Sequence, residues 1–259
     1  VAFGVSWGSE VLDKQIKVLT DAIMLAGKIM IENGADMTRV DDTLYRIARN
    51  GGIKNPKIFE TTTGLMISVV DNNIAQVEPI QNHGIDLEKV ARVNDVSREF
   101  QNKKLTVEQM YSKLKEIDQK VPVFAWHWQL LAAFIISSPL LMIYGGKWQD
   151  FLPAGIISVI GYSVYYIIKM NFKIRFVNEF LSSFTIGMLA VLAVKYHLGT
   201  QVDMLIIAAV MPLVPGVAIM NSVRDILAGH LLSGVARGVE ALLTACAIGF
   251  GIALVLKFM

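Results

Sequence analysis

The chain has 259 residues, 54% of them hydrophobic and only 18% charged, with a formal net charge of +2. Soluble domains carry roughly 25% charged residues, so this composition argues against a water-soluble globule. The near balance of basic and acidic side chains argues against a nucleic-acid partner. The charge is also unevenly placed: beyond residue 125 the only acids are Asp150, Glu179, Asp203, Asp225 and Glu240.

The first half reads as a small α+β domain. From Ile16, apolar residues recur at helical spacing at Leu19, Ile23, Ala26 and Met30, and Gly34 stops the helix. A second helix is expected from Thr38, with Asp41 at capping-box spacing and a stripe of Val40, Leu44 and Ile47. Between residues 57 and 80 the period changes. KIFE, LMISVV and IAQVEPI read as short strands, the last two joined by a turn at Asp71, Asn72 and Asn73. Helices resume after Asp86 and after Thr106, where Gln109 completes a capping box, and the chain enters the membrane through Pro122.

A bilayer-length ruler of about 20 residues per helix finds five spans in the second half: Trp128 to Gly146, Phe151 to Ile168, Phe180 to Val194, Met204 to Val223 and Ala241 to Leu256. The expected architecture is therefore a cytoplasmic α+β domain over residues 1–125 followed by an all-α domain of five transmembrane helices over residues 126–259. Basic residues set the orientation. Lys113, Lys115 and Lys120 precede span 1, Lys169, Lys173 and Arg175 follow span 2, and Arg224 and Arg237 flank the loop between spans 4 and 5. The other side has only Lys147, Lys195 and Lys257, which places the first half in the cytoplasm and the C-terminus outside. The opening VAFGVSWGSE has no basic stretch before an apolar run, so no cleavable signal peptide is expected, and the missing initiator Met suggests a trimmed start.

Ionisable residues in or beside apolar spans are costly and mark candidate sites. Glu179, Asp203, Asp225, Arg237 and Glu240 qualify, with interfacial snorkelling or a structural ion pair as the alternative; Arg237 and Glu240 share a helical face. The run from Met211 to Asp225 is more specific. Pro212 and Pro215 remove backbone donors and Gly216 permits a bend, so span 4 is expected to break near its middle. Asn221, Arg224 and Asp225 follow the break and suit a small polar solute, the alternative being a packing kink. In the first half, Glu60, Thr61, Thr62, Thr63 and Gly64 form a hydroxyl-rich motif that reads as a hairpin turn ahead of an anion or nucleophile site. His83, His127, His197 and His230 never fall at metal-ligand spacing, and no nucleotide-binding or nucleophile motif occurs, so no metal, cofactor or catalytic residue is expected. Cys246 is the single cysteine, which rules out an intrachain disulfide.

LAGKIMIENGAD, TRVDDTLYRIARNGG, KIFETTTGLMISV and DLEKVARVNDVSREF, followed by LVPGVAIMNSVRDILAGHLLSGVARGVEALL, resemble the threonine/serine exporter family over about residues 12–256. The resemblance implies a secondary exporter of small polar metabolites in the bacterial plasma (inner) membrane, driven by the proton gradient. Its substrates would be threonine- or serine-type amino acids, or dicarboxylates such as succinate. It also implies the larger subunit of a two-component system, beside a small membrane partner of about five spans, with a homo-oligomer left open. The family's strand motif often reads Thr-Pro-Thr-Gly where this chain has Thr61-Thr62-Thr63-Gly64. On this reading Pro215, Gly216, Asn221, Arg224, Asp225, Arg237, Glu240 and Glu179 are substrate-binding or coupling candidates. A membrane-anchored metabolite sensor or hydrolase-like domain is the alternative, and a non-transporting scaffold a third.

Overall fold

A computed structural model describes residues 7–72, 74–120, 124–171 and 176–258. The expected turn residue Asn73, the membrane-entry Pro122, and Lys173 and Arg175 of the basic bias lie outside the described residues. The elements in order are α1 (Trp7–Glu32), α2 (Met37–Asn50), β1 (Pro56–Glu60), β2 (Gly64–Val69), β3 (Ile74–Pro79), α3 (Leu87–Gln101), α4 (Val107–Lys120), α5 (Trp126–Ile143), α6 (Phe151–Asn171), α7 (Val177–Lys195), α8 (Val202–Val210), α9 (Gly216–Leu227) and α10 (Leu231–Phe258).

The chain forms two compact units, Val1–Pro122 with Val217–Gly238, and Val123–Gly216 with Val239–Met259. This differs from a single cut at residue 125. The second half of the expected span 4, the loop after it and the start of span 5 cluster with the first unit, because polar residues there find partners in that unit.

In the first unit, the expected α1 stripe of Leu19, Ile23, Ala26 and Met30 is buried, as are Val40, Leu44 and Ile47 of α2. Gly34 closes α1 at φ +86. Ala35 N–H donates to Met30 O and Gly34 N–H to Ile31 O, the paired bonds of a Schellman ending. α2 starts earlier than the sequence suggests. Its cap is Asp36, whose carboxylate accepts from Arg39 N–H at 3.0 Å, in place of the expected Thr38 box. At α4 the expected box forms, with Thr106 N–H donating to Gln109 Oε1 and Gln109 N–H to Thr106 Oγ1. The three antiparallel strands lie in the order β1-β2-β3, with Ile58 paired to Ile67 and Ile67 to Gln76. Period 2 then places Leu65, Ile67 and Val69 on the covered face and Phe59, Met66 and Val77 on the open one.

The second unit is helical. Trp126–Ile143, Trp148–Asn171, Val177–Lys195 and Leu231–Phe258 are each long and apolar enough to cross a membrane, although the last begins in the first unit. A fifth span exists if the pair Val202–Leu213 and Gly216–Leu227, bent by 64°, is taken as one. Close helix approach is built on small residues. A Cβ on Gly155 would overlap the Phe134 ring and the Ser138 hydroxyl, and one on Gly251 would meet the Phe180 carbonyl at 2.6 Å. Ser137 donates to Ser158 at 2.7 Å, and the Ser182 hydroxyl donates to Gly161 O. Asp150, just ahead of α6, is fully buried. Its carboxylate accepts from Thr200 N–H at 2.6 Å and Thr200 Oγ1 at 2.5 Å.

Candidate functional site

α9 and α10 meet at a tight elbow in the first unit. Gly229 adopts φ +92. His230 N–H donates to Asp225 O at 2.8 Å and Gly229 N–H to Ile226 O at 3.1 Å, so α9 ends as α1 does. Ser222 Oγ donates across the elbow to Gly234 O at 2.7 Å. Gly238 allows the approach, since a Cβ there would sit 2.8 Å from Ser222 Oγ.

The elbow grips four consecutive residues at the α1–α2 corner. Asn221 Nδ2 donates to Gly34 O at 2.8 Å and Arg237 Nη2 to Ala35 O at 2.7 Å. Arg224 Nη1 donates to Asp36 Oδ2 at 3.0 Å, and Met37 N–H donates to Asp225 Oδ1 at 2.9 Å. Arg237 Nη1 also lies 3.5 Å from Asp225 Oδ2. Asp225 is fully buried, and Asn221 and Arg237 are each 8% exposed. The physical logic is that of helix ends: α1 leaves carbonyls unpaired at its C-terminus, α2 leaves N–H groups unpaired at its N-terminus. The last carbonyls of α1 are met by Asn33, Gly34, Ala35 and Gly84 N–H, so the elbow's donors serve the corner carbonyls of Gly34 and Ala35, while its Asp225 carboxylate serves the first N–H of α2, where the α2 dipole also favours negative charge.

Four of the sequence candidates, Asn221, Arg224, Asp225 and Arg237, are thus brought together. The sequence reading missed their counterpart, Gly34 to Met37, although the Gly34 stop and the Asp36 ahead of α2 were the available signals. The remaining membrane candidates, Glu179, Asp203, Pro215, Gly216 and Glu240, belong to the other unit. Glu179 is in the first turn of α7, with Oε2 buried and without a hydrogen-bond partner among the described residues. Glu240 lies on α10, its carbonyl accepting from Thr244 Oγ1. The break at Pro215 is real, but Gly216 does not owe its place to conformational freedom. Its φ is not positive, and a Cβ there would meet nothing within 4 Å.

The threonine motif forms the β1–β2 turn. Thr61 N–H donates to Gly64 O at 2.8 Å, and Thr61 Oγ1 accepts from Gly64 N–H at 3.1 Å. Thr63 O accepts from Ile80 N–H, and Thr62 O contacts His83 Nε2 at 3.1 Å. The Thr61 hydroxyl is therefore turned into the hairpin itself. Glu60, just before the turn, faces inward. Burial, reinforced by the adjacent Asp41, pushes its carboxyl up to about 7. Burial likewise raises Asp41 above the ordinary aspartate value. His230 Nδ1 of the elbow lies 3.9 Å from Glu60 Oε1.

No group of three or more metal-ligating side chains occurs among the described residues. Several apolar helices of bilayer length, one broken pair and a separate polar unit define a multi-pass membrane protein. The sequence model of ThrE, the threonine/serine exporter family, matches residues 21–259, and the chain belongs to that family. No curated protein and no solved structure matches it.

Proposed function

We propose that the chain is the larger subunit of a proton-gradient-driven exporter of small polar metabolites, either threonine- or serine-type amino acids or dicarboxylates such as succinate. It acts beside a small membrane partner of about five spans, in the bacterial inner membrane, and has no enzymatic activity. Residues 1–125 lie on the cytoplasmic side, on the strength of the basic residues flanking the spans.

The observation that carries the reading is the broken helix pair, bent by 64°, in a chain of an exporter family. Pro212 and Pro215 leave backbone carbonyls without intrahelical donors, and a membrane tolerates this only where protein or a watery cavity covers them. A zwitterionic amino acid needs one charge of each sign and a dicarboxylate needs two positive ones. Within the first unit, Arg224, Arg237 and Asp225 offer charges of both signs, with Asn221 as a further polar group. The donors of Arg224 and Arg237 hold the α1–α2 corner, so a solute that uses them competes with that corner, and release of the grip accompanies loading.

Efflux from cells expressing the chain alone, the partner alone and both tests the proposal. Proton-dependent loss of labelled threonine, serine or succinate only when both are present is the expected result. No efflux of any of the three, from correctly inserted protein, would overturn it. A groove of about 440 Å³ in the first unit, lined by Asp21, Lys28, Gln76, Glu78 and Tyr111 among others, favours a second reading as a membrane-anchored metabolite sensor. Saturable metabolite binding by the full chain without flux would support that one.

A further inference from the structure

One face of α1 lies outside the grip. Asp21, Met24, Leu25 and Lys28 recur at helical spacing and so share one side of the helix over two turns. Together with Gln76 and Glu78 of β3 they line the groove of about 440 Å³, a volume within the range of small-molecule sites. Tyr111 of α4 lines it as well, with Lys115 Nζ held over the tyrosine ring at 4.4 Å. All of these residues belong to the first unit.

The two ends of the groove differ in charge. At one end Gln76 Nε2 donates to Asp21 Oδ1 at 2.7 Å, and Asp21 has no ion-pair partner among the described residues. At the other end Lys28 Nζ donates to Glu78 Oε1 at 2.5 Å, in a pair whose side chains are each about one-third exposed. An ammonium has three donors and a carboxylate two oxygens, so this pair keeps bonding capacity in reserve on both partners. Lys28 remains a cation there. Its hydrogen bond to Glu78, with the charges of Glu78, Glu32 and Asp118, holds its ammonium above the ordinary lysine value. Between the two ends the α1 wall is apolar, built from Met24 and Leu25.

We propose that this groove binds a free basic amino acid. Its α-carboxylate takes the spare N–H donors of Lys28, and its α-ammonium takes the second oxygen of Glu78. Its aliphatic stem lies along Met24 and Leu25, and its terminal cation meets Asp21. The spacing fits this occupant. Gln76 and Glu78 pair with Ile67 and Leu65, on the covered face of the sheet, and residues two apart on a strand lie about 7 Å from each other. A stem of four methylenes ending in an ammonium spans about 6 Å at ordinary bond lengths.

Charge selects the same class. Asp21 and Glu78 against Lys28 leave the lining with one surplus negative charge, which a ligand with one surplus positive charge balances. A dicarboxylate brings two charges of the wrong sign, and a neutral amino acid leaves Asp21 without a cation. The groove's ligand therefore differs in class from the solutes proposed for export. The site rests on the groove of the sensor reading above, and it stands with or without flux.

The test uses the full chain in nanodiscs, with amide exchange read at residues 18–29 and 74–79, so that binding in the groove is separated from binding elsewhere. L-Lysine should slow exchange there saturably. Norleucine lacks the terminal ammonium and cadaverine lacks the carboxylate. Each should need at least about tenfold more ligand for the same protection, the effect of one lost hydrogen bond to a charged group. Succinate should give none. Asp21→Asn should abolish the preference for lysine over norleucine, and Lys28→Gln the preference for lysine over cadaverine. Equal protection by lysine and norleucine in wild type, or protection by succinate, would overturn the proposal. A lysine preference that survives Asp21→Asn would do the same. The ligand ranking on wild type decides the matter even where a variant does not fold. Lysine protection together with efflux of threonine, serine or succinate would uphold the groove site and remove the sensor reading, whereas absent lysine protection would remove the groove site whatever the flux.

Discussion

In the first unit many of the fully buried side chains are large: Leu19, Ile23, Met30, Leu44, Ile47, Leu65 and Leu114 are each at most 1% exposed. In the second unit many of the buried positions are small, among them Ala154, Ser158, Ser182, Ser183 and Ala190, while Ile135, Ile156 and Phe250 stand more than half exposed. Water drives large apolar groups inward. Lipid provides no such drive, so helices there associate through close backbone approach and hydroxyl hydrogen bonds. The polar interior follows the same division. In the first unit the buried acids Asp36 and Asp225 meet a half-exposed Arg224 and a buried Arg237, whereas the second unit holds a buried acid, Asp150, on a backbone N–H and a hydroxyl.

The largest effect should come from unpairing the grip. Arg237→Met leaves the buried Asp225 without its guanidinium and should remove about 3–5 kcal/mol, read from unfolding of the full chain in detergent. The double variant Asp225→Leu with Arg237→Met should recover much of that loss. No recovery would mean that the hydrogen bonds to the corner, and not the charge balance, carry the grip.

Core truncation comes next. Leu44→Ala should destabilise the first unit by about 2–5 kcal/mol. Gly251→Val adds volume instead and should destabilise the second by about 1–3 kcal/mol, seen as protease sensitivity between α7 and α10. If Gly251→Val were silent, small-residue packing would not distinguish the units. Asp150→Asn replaces one acceptor with a donor facing Thr200 and should remove about 1–3 kcal/mol, measurable as a lower melting midpoint.

The smallest effects separate two glycines. Gly229→Ala forces a side chain into left-handed backbone and should lose about 1–2 kcal/mol, whereas Gly216→Ala should change stability by less than about 0.5 kcal/mol. A loss of efflux in Gly216→Ala with stability intact would then be a functional effect, not a folding one.

Local chemistry made much of the fold legible. Apolar residues at helical spacing marked the faces of α1 and α2, Thr106 and Gln109 marked the start of α4, and uncharged runs marked the long apolar helices, because each signal acts within a few turns of one segment. Gly34 signalled the end of α1 for the same reason. Asp36 was harder to place, since a cap is identified by the amide it reaches, and Thr38 offered a competing pattern two residues later.

The sequence by itself determined the two solvents of the chain, through its charge distribution, and the break before α9, through prolines that lack an N–H wherever they are placed. It also singled out Asn221, Arg224, Asp225 and Arg237 as polar residues that needed an explanation. Only the tertiary structure decided what they hold. Their partners are backbone groups at Gly34, Ala35 and Met37 and the Asp36 carboxylate, between 187 and 202 residues away in the chain. Backbone carbonyls and amides are common to nearly every residue type, so no composition or spacing names the one a side chain will find. The meeting of Asp41, Glu60 and His230 was hidden for the same reason: a helix, a strand end and an elbow bring their ionisable groups together only once each has packed.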